Sequence, residues 1–197
     1  MPSSAPCLIP YVCSVMTHFK PKSVLDVGMG NGKYGFLARE YIDIQNAAVG
    51  NNDKCYLHGI EIFRPYIGKV QKAIYDKISI GSAMEVLNTI EEKYDLVICC
   101  DMIEHLEKKD GHRLIRRMRR CLSDDGILLV TTPIKEREQG VVFGNENETH
   151  LCIWDEHDFD MTKPDEVNTV DDSFYIIFWG GTPFTEENTK QENQNEA

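Results

Sequence analysis

The chain has 197 residues, 42% of them hydrophobic, and carries a net charge of −11 from 21 basic and 32 acidic side chains. That length and balance fit one soluble domain with a sizeable core. No apolar run approaches the ~20 residues needed to span a bilayer, and Met1 to Leu8 lack the basic start and apolar core of a signal peptide. A cytoplasmic protein with no membrane contact is expected, and the acidic surplus disfavours nucleic-acid phosphates.

Cys7, Cys13, Cys55, Cys99, Cys100, Cys121 and Cys152 form no C-x-x-C pair. They read as reduced, mostly buried thiols. The basic cluster Arg113, Arg116, Arg117, Arg119 and Arg120 reads as a solvated helix face.

In chain order, Ile9 to Phe19 has helical spacing and is expected to pack across the sheet edge, with Pro21 ending it. Ser23–Val27 is the first strand. Tyr34 to Ile44 reads as a helix with Phe36, Leu37, Tyr41 and Ile44 on one face, and Gln45 to Lys54 as a loop. Cys55–Glu61 is the second strand, Pro65 to Tyr75 a helix, and Ile78–Gly81 a short third strand. A helix through Met84, Val86, Leu87 and Ile90 follows. Tyr94 to Cys100 is a buried fourth strand and Lys108 to Leu122 a helix. Asp124-Asp125-Gly126 turns into the fifth strand, Ile127–Thr132. Phe174–Trp179 is a late strand. The alternation predicts an α/β fold: a doubly wound, mainly parallel, Rossmann-like sheet with helices on both faces. One domain over residues 1–184 and a disordered polar tail over 185–197 are expected.

Asp26-Val27-Gly28-Met29-Gly30-Asn31-Gly32 joins the first strand to the next helix. Glycines there let the backbone turn sharply and approach a ligand. Asp26, two residues before Gly28, would repel a phosphate but attract the ammonium of an amino-acid moiety. Glu61 ends the second strand, where a carboxylate can accept both ribose hydroxyls. Ser82-Ala83-Met84 follow the third strand within reach of an adenine, and Asp101 ends the fourth at the same sheet edge. This set points to a nucleoside cofactor with a cationic methionine end, S-adenosylmethionine.

With these motifs, the stretch from Pro21 to Phe159 resembles class I S-adenosylmethionine-dependent methyltransferases. Val24-Leu25-Asp26-Val27-Gly28-Met29-Gly30-Asn31-Gly32 looks like their first motif and Gly59-Ile60-Glu61 like their second. Tyr94–Val97 with Asp101-Met102-Ile103-Glu104-His105-Leu106 looks like the fourth, and Gly126–Val130 like the strand that follows. The resemblance implies that Gly28, Gly30 and Gly32 contact the methionine part, Glu61 the ribose, and residues 82–84 the adenine. Ser82 stands where many relatives place an Asp for the adenine amino group. Gly32-Lys33-Tyr34-Gly35-Phe36-Leu37 is similar to small microbial members often assigned sugars or small metabolites.

A methyl acceptor with a hydroxyl needs a base at this edge. His105, within Glu104-His105-Leu106, is one candidate, its alternative role being to cap or orient the next helix. His150, in the polar stretch Glu146–Trp154 after the fifth strand, is the other. Small-RNA 2′-O-methyltransferases carry an acid-x-x-Glu-His motif and a later His-x-x-x-Trp that hold a divalent metal. Asp101, Glu104, His105, His150 and Trp154 stand at matching spacing and could bind Mn²⁺, Fe²⁺ or Co²⁺. The favoured expectation is metal-free O-methylation of a small molecule or glycan, with Glu104, His105 and His150 as catalytic candidates. The alternatives are a silent S-adenosylmethionine-binding scaffold, a metal-dependent RNA ribose methyltransferase and an NAD-dependent oxidoreductase, which Asp26 disfavours. The short stretch after the fifth strand lacks a large substrate cap, which leaves room for a homo-oligomer completing the acceptor site.

Overall fold

The structure, a computed structural model, describes residues 3–44, 54–135 and 139–180. Residues 45–53 of the expected loop and the whole 185–197 tail lie outside them. Seven strands form one sheet: β1 (Ser23–Val27), β2 (Tyr56–Glu61), β3 (Lys77–Ile80), β4 (Tyr94–Cys100), β5 (Leu122–Pro133), β6 (Glu166–Val170) and β7 (Ser173–Trp179). Their order is β3-β2-β1-β4-β5-β7-β6. The pairs among β1 to β5 are parallel, whereas β7 runs antiparallel to both β5 and β6. The order reverses between β1 and β4, the switch point at whose carboxyl edge open α/β sheets bind ligands.

Continuous apolar runs make central strands because both faces are covered. In β4 and β5 alternate residues divide between two cores. Val97, Cys99, Leu128 and Val130 pack against α5 (Lys108–Arg120), Trp154 and Phe159. Leu96, Ile98, Ile127 and Leu129 pack against α1 (Ile9–Phe19). So α1 covers a face of the sheet rather than its edge. Tyr11 and Phe19 tie it to β7 through Tyr175 and Trp179, with ring centroids 5.8 and 5.2 Å apart.

Other differences from the sequence reading have local causes. The helix after β1 is α2 (Lys33–Ala38), continuing as a π-helical turn over Arg39–Asp43. Its inner face is Tyr34, Gly35, Ala38 and Ile42, while Phe36, Tyr41 and Ile44 are exposed. A Cβ on Gly35 would run into the Tyr75 ring, so the helix can lie this close only by its thinnest face. Arg39 then points inward to the carbonyls of Ile74 and Cys55 and to the carboxylates of Asp43 and Asp76. The Pro65–Tyr75 helix splits into a 3-10 turn, Arg64–Tyr66, and α3 (Lys69–Ile74). The helix expected through Ile90 is only α4 (Ala83–Val86). β5 begins at Leu122, before the expected Asp124-Asp125-Gly126 turn, which stands as a bulge within it. An advance of five residues from Leu122 to Ile127 faces one of two from Tyr94 to Leu96, and Gly126 folds back against Ser123. β6 is an edge strand that the sequence reading lacks. The basic cluster is partly structural: Arg117 donates to the Met84 carbonyl and Arg119 to the Thr162 carbonyl.

His58 of β2 is fully buried between Tyr94 Oη (2.7 Å) and Ser79 Oγ (2.9 Å). Burial, helped by the charge of Lys77, pushes its pKa down to about 4, with Glu92 opposing. The folded protein therefore binds this proton less readily than the unfolded chain, whose His titrates near ~6.5. The stability from neutral His58 is complete above pH ~6.5 and is lost as pH falls towards 4. In urea unfolding, wild type should lose on the order of 2–3 kcal/mol more than His58→Gln across this window. Parallel pH profiles would contradict this role.

Candidate cofactor-binding and active site

The carboxyl ends of β1 to β4 open onto a cleft of ≈ 1040 Å³, counting its mouth. After β1 the backbone swings through Gly28, Gly30 and Gly32 with φ of +76°, +51° and +80°, values that L side chains rarely adopt. The amides of Gly28 and Met29 both donate to the Ile60 carbonyl at 3.0 Å, which pins the loop to β2. Glu61 ties it from the other side: its Oε2 accepts from Gly30 N (2.9 Å) and its Oε1 from Phe63 N (2.7 Å). Each carboxylate oxygen keeps acceptor capacity towards the cleft. Burial pushes the Glu61 carboxyl up, against these backbone hydrogen bonds.

Asp26, only 3% exposed, accepts from Tyr75 Oη at 2.6 Å. Burial pushes its carboxyl up to about 6 although the Tyr75 hydroxyl favours the ionised form. Tyr75 itself fits because Gly35 and Gly59 leave room for its ring. Asp101 has φ of +49°, a left-handed conformation unusual outside glycine. Its amide donates to the Thr131 carbonyl at 2.9 Å, its Oδ1 accepts from Thr131 Oγ1 at 2.7 Å, and its Oδ2 accepts from the Ala5 amide at 2.9 Å.

Asp26, Gly28, Gly30, Glu61, Ser82, Ala83 and Asp101 all line the cleft, whereas Gly32 does not. Gly32 precedes α2 as its N-cap and packs against Tyr75, so it shapes the loop from behind. Ser82 is the N-cap of α4 but makes no capping hydrogen bond with its side chain.

Three catalytic candidates come together at the other end. Ligand atoms of Glu104, His105 and His150 lie within 4.8 Å of one another. The two imidazole rings cross edge to face at 4.8 Å between centroids. Only His105 lines the cleft; Glu104 is 2% exposed and accepts from Thr132 Oγ1 at 3.1 Å. Burial pushes the Glu104 carboxyl well up and His105 down. His105 Nδ1 faces the Thr149 carbonyl at 3.1 Å. A carbonyl can only accept, so the neutral ring carries its proton on Nδ1 and its lone pair on Nε2. Asp101 stands outside this cluster, its carboxylate already engaged by Ala5 and Thr131. Trp154 is fully buried, stacked on Phe159 and packed against Gly111, and so belongs to the core rather than to a cover over the cleft.

The segment carrying His150 is held down by its backbone. The amides of Leu151 and Cys152 donate to the Glu104 carbonyl, and that of His150 to Gln139 O. Glu148 on this segment lines the cleft and accepts from Tyr66 Oη at 2.9 Å. The sequence reading missed Lys33, Tyr75, Asn145 and Glu148. The Gly32-Lys33 junction and the acids flanking Asn147 were visible signals, whereas nothing near Tyr75 announces its partner 49 residues away.

Fold and cleft together define an open α/β protein with a cleft at the switch point of its sheet. A family profile described as "Methyltransferase domain" matches residues 12–161, and the chain belongs to that family, with the class I, S-adenosylmethionine-dependent fold. A protein of Pyrococcus horikoshii OT3 superposes with a TM-score of 0.65 at 18% identity, covering 88% of each chain. An O-methyltransferase family protein from Burkholderia thailandensis gives 0.64 at 11% identity over 88% of this chain. This chain spans only 55% of that protein's length. The 1,6-didemethyltoxoflavin-N1-methyltransferase of the same organism, solved with its heterocycle and S-adenosylhomocysteine, gives 0.64 at 12% identity, covering 89% of this chain and 78% of its own. No curated protein matches the sequence. Among the described residues no helix is long and apolar enough to cross a membrane.

The raised Asp26 carboxyl gives a test of the site without ligand. Its folded value of about 6 exceeds the ordinary 3.8, so ionising it costs stability as pH rises between these values. Asp26→Asn keeps an acceptor for Tyr75 and removes that cost. Relative to wild type it should gain up to about 3 kcal/mol above pH 6 and little below pH 4, read from urea unfolding. A pH-independent difference would contradict the assignment.

Proposed function

We propose that the protein transfers the methyl group of S-adenosylmethionine to an oxygen of a small molecule or glycan. One observation carries the reading: the glycine loop, two strand-end carboxylates and residues 82–84 share a single cleft with an imidazole whose basic nitrogen is defined.

The residues suit that cofactor. Asp26 presents a buried carboxylate that gains from a nearby ammonium. Glu61 retains lone pairs for a ribose diol, and Ser82, Ala83 and Met84 form a wall for the adenine. When bound, S-adenosylmethionine supplies an electrophilic methyl on a sulfonium. Met102 and Leu106 help keep water from that end of the cleft. His105 would then accept the proton of the acceptor hydroxyl on Nε2 while Thr149 keeps the ring in register. The small heterocycle held by the Burkholderia N1-methyltransferase supports a small acceptor for this fold.

A second reading has its own observation, the convergence of Glu104, His105 and His150. Two imidazoles and a carboxylate suit Mn²⁺, Fe²⁺ or Co²⁺ better than Mg²⁺. An ion there would hold the acceptor oxygen and make His105 a ligand instead of a base. The net charge of −11 favours a small acceptor over RNA in either case.

Calorimetry with S-adenosylhomocysteine should show binding that Glu61→Ala weakens about tenfold or more, since two charge-assisted hydrogen bonds go. Unchanged affinity would remove the cofactor assignment. Titration with Mn²⁺ separates the two readings. Metal assistance requires binding by the wild type and its loss in His150→Ala, whereas binding to neither protein leaves the metal-free route.

A further inference from the structure

The charged groups of the cleft are unequal in number. Asp26, Glu61, Asp101 and Glu148 line it as carboxylates, while Lys33 supplies the only ammonium among the described lining residues. The methionine end of S-adenosylmethionine carries an ammonium, a sulfonium and one carboxylate, so a complementary site needs several anions and one cation. Lys33 opens α2 immediately after the glycine loop, on the side of Asp26. Its Nζ donates to the Ser4 carbonyl at 2.7 Å and lies 5.0 Å from the centre of the Tyr34 ring. Ser4 Oγ in turn meets Tyr34 Oη at 2.7 Å. The ammonium is thus held over the cleft by one bond, with two of its three N–H donors left for a ligand. The same Ser4–Ala5 peptide unit donates through Ala5 N to Asp101, so one peptide plane spans the cation and an anion of the cleft. Burial pushes the Lys33 amine down, the direction expected of a partly dehydrated cation that stands to gain from an incoming anion.

Resting on the S-adenosylmethionine reading above, we propose that Lys33 binds the α-carboxylate of the cofactor's methionine end and makes the site selective for cofactors that carry one. Lys33 is in this role a binding residue, and the Ser4 carbonyl positions it.

The test compares S-adenosylhomocysteine with its decarboxylated analogue, 5′-deoxy-5′-(3-aminopropylthio)adenosine, which keeps the amine and lacks only the carboxylate. Calorimetry on the full chain should show wild type preferring S-adenosylhomocysteine by about tenfold or more. Lys33→Met should lower that preference to about threefold or less by weakening S-adenosylhomocysteine alone, and Lys33→Arg should restore most of it. A Lys33→Met protein that keeps the wild-type preference overturns the proposal. So does a wild type that binds both ligands equally, a result that needs no variant to fold. A wild type that binds neither ligand refutes the cofactor reading itself, and the Lys33 assignment with it.

Discussion

Keeping the carboxylate of Asp26 buried at the end of β1, with a tyrosine hydroxyl as its hydrogen-bond partner, imposes conditions on residues far along the chain. The phenol ring of Tyr75 must lie beneath the glycine loop, and it fits only because Gly35 and Gly59 have no Cβ. That thin face of α2 sets the helix close to the sheet and turns Phe36 and Tyr41 outward. Gly32 at the head of the same helix packs on the ring as well. The strand end, the loop and the first helix are therefore one assembly organised around a charge that is costly without a ligand. Such a cost is common where a protein keeps a polar group for binding rather than stability.

The other half of the cleft is built differently. Its groups come from the turn after β4 and from residues 139–152, joined chiefly through backbone hydrogen bonds onto Glu104 and Gln139. Asp101 holds a left-handed backbone there because Thr131 grips both its amide and its carboxylate. His105 is oriented by a carbonyl of the same segment that brings His150 to its side. On the proposed function, one wall would meet the cofactor with fixed donors and acids, and the other would offer the His105 imidazole and the amides of Asn145 and Asn147 to an acceptor.

The strands were legible because a parallel sheet covered on both faces demands continuous β-branched and apolar runs, and Ser23–Val27, Tyr94–Cys100 and Ile127–Thr132 supply them. The strand-end acids were legible for a related reason, since a charged residue closing such a run sits at the ligand edge. The face of α2 was not. Phe36, Leu37, Tyr41 and Ile44 form a better apolar stripe than Tyr34, Gly35, Ala38 and Ile42, and only the distant Tyr75 makes the small face win. β6 escaped because Glu166, Asn168 and Thr169 are exposed, and its pairing with β7 depends on an Asp171-Asp172 turn in which Asp171 adopts φ of +49°. Lys33 was visible as a residue but not as a cleft group, because its placement depends on the Ser4 carbonyl.

If Asp26 is kept for the cofactor's ammonium, as proposed, the proton count on S-adenosylhomocysteine binding near pH 6 reports it, obtained by calorimetry in buffers of different ionisation enthalpy. With the free-site carboxyl at about 6, an arriving ammonium should hold Asp26 ionised and release on the order of half a proton. Asp26→Asn should bind more weakly and release correspondingly less. Equal proton release and equal affinity in the two proteins would contradict this role for Asp26.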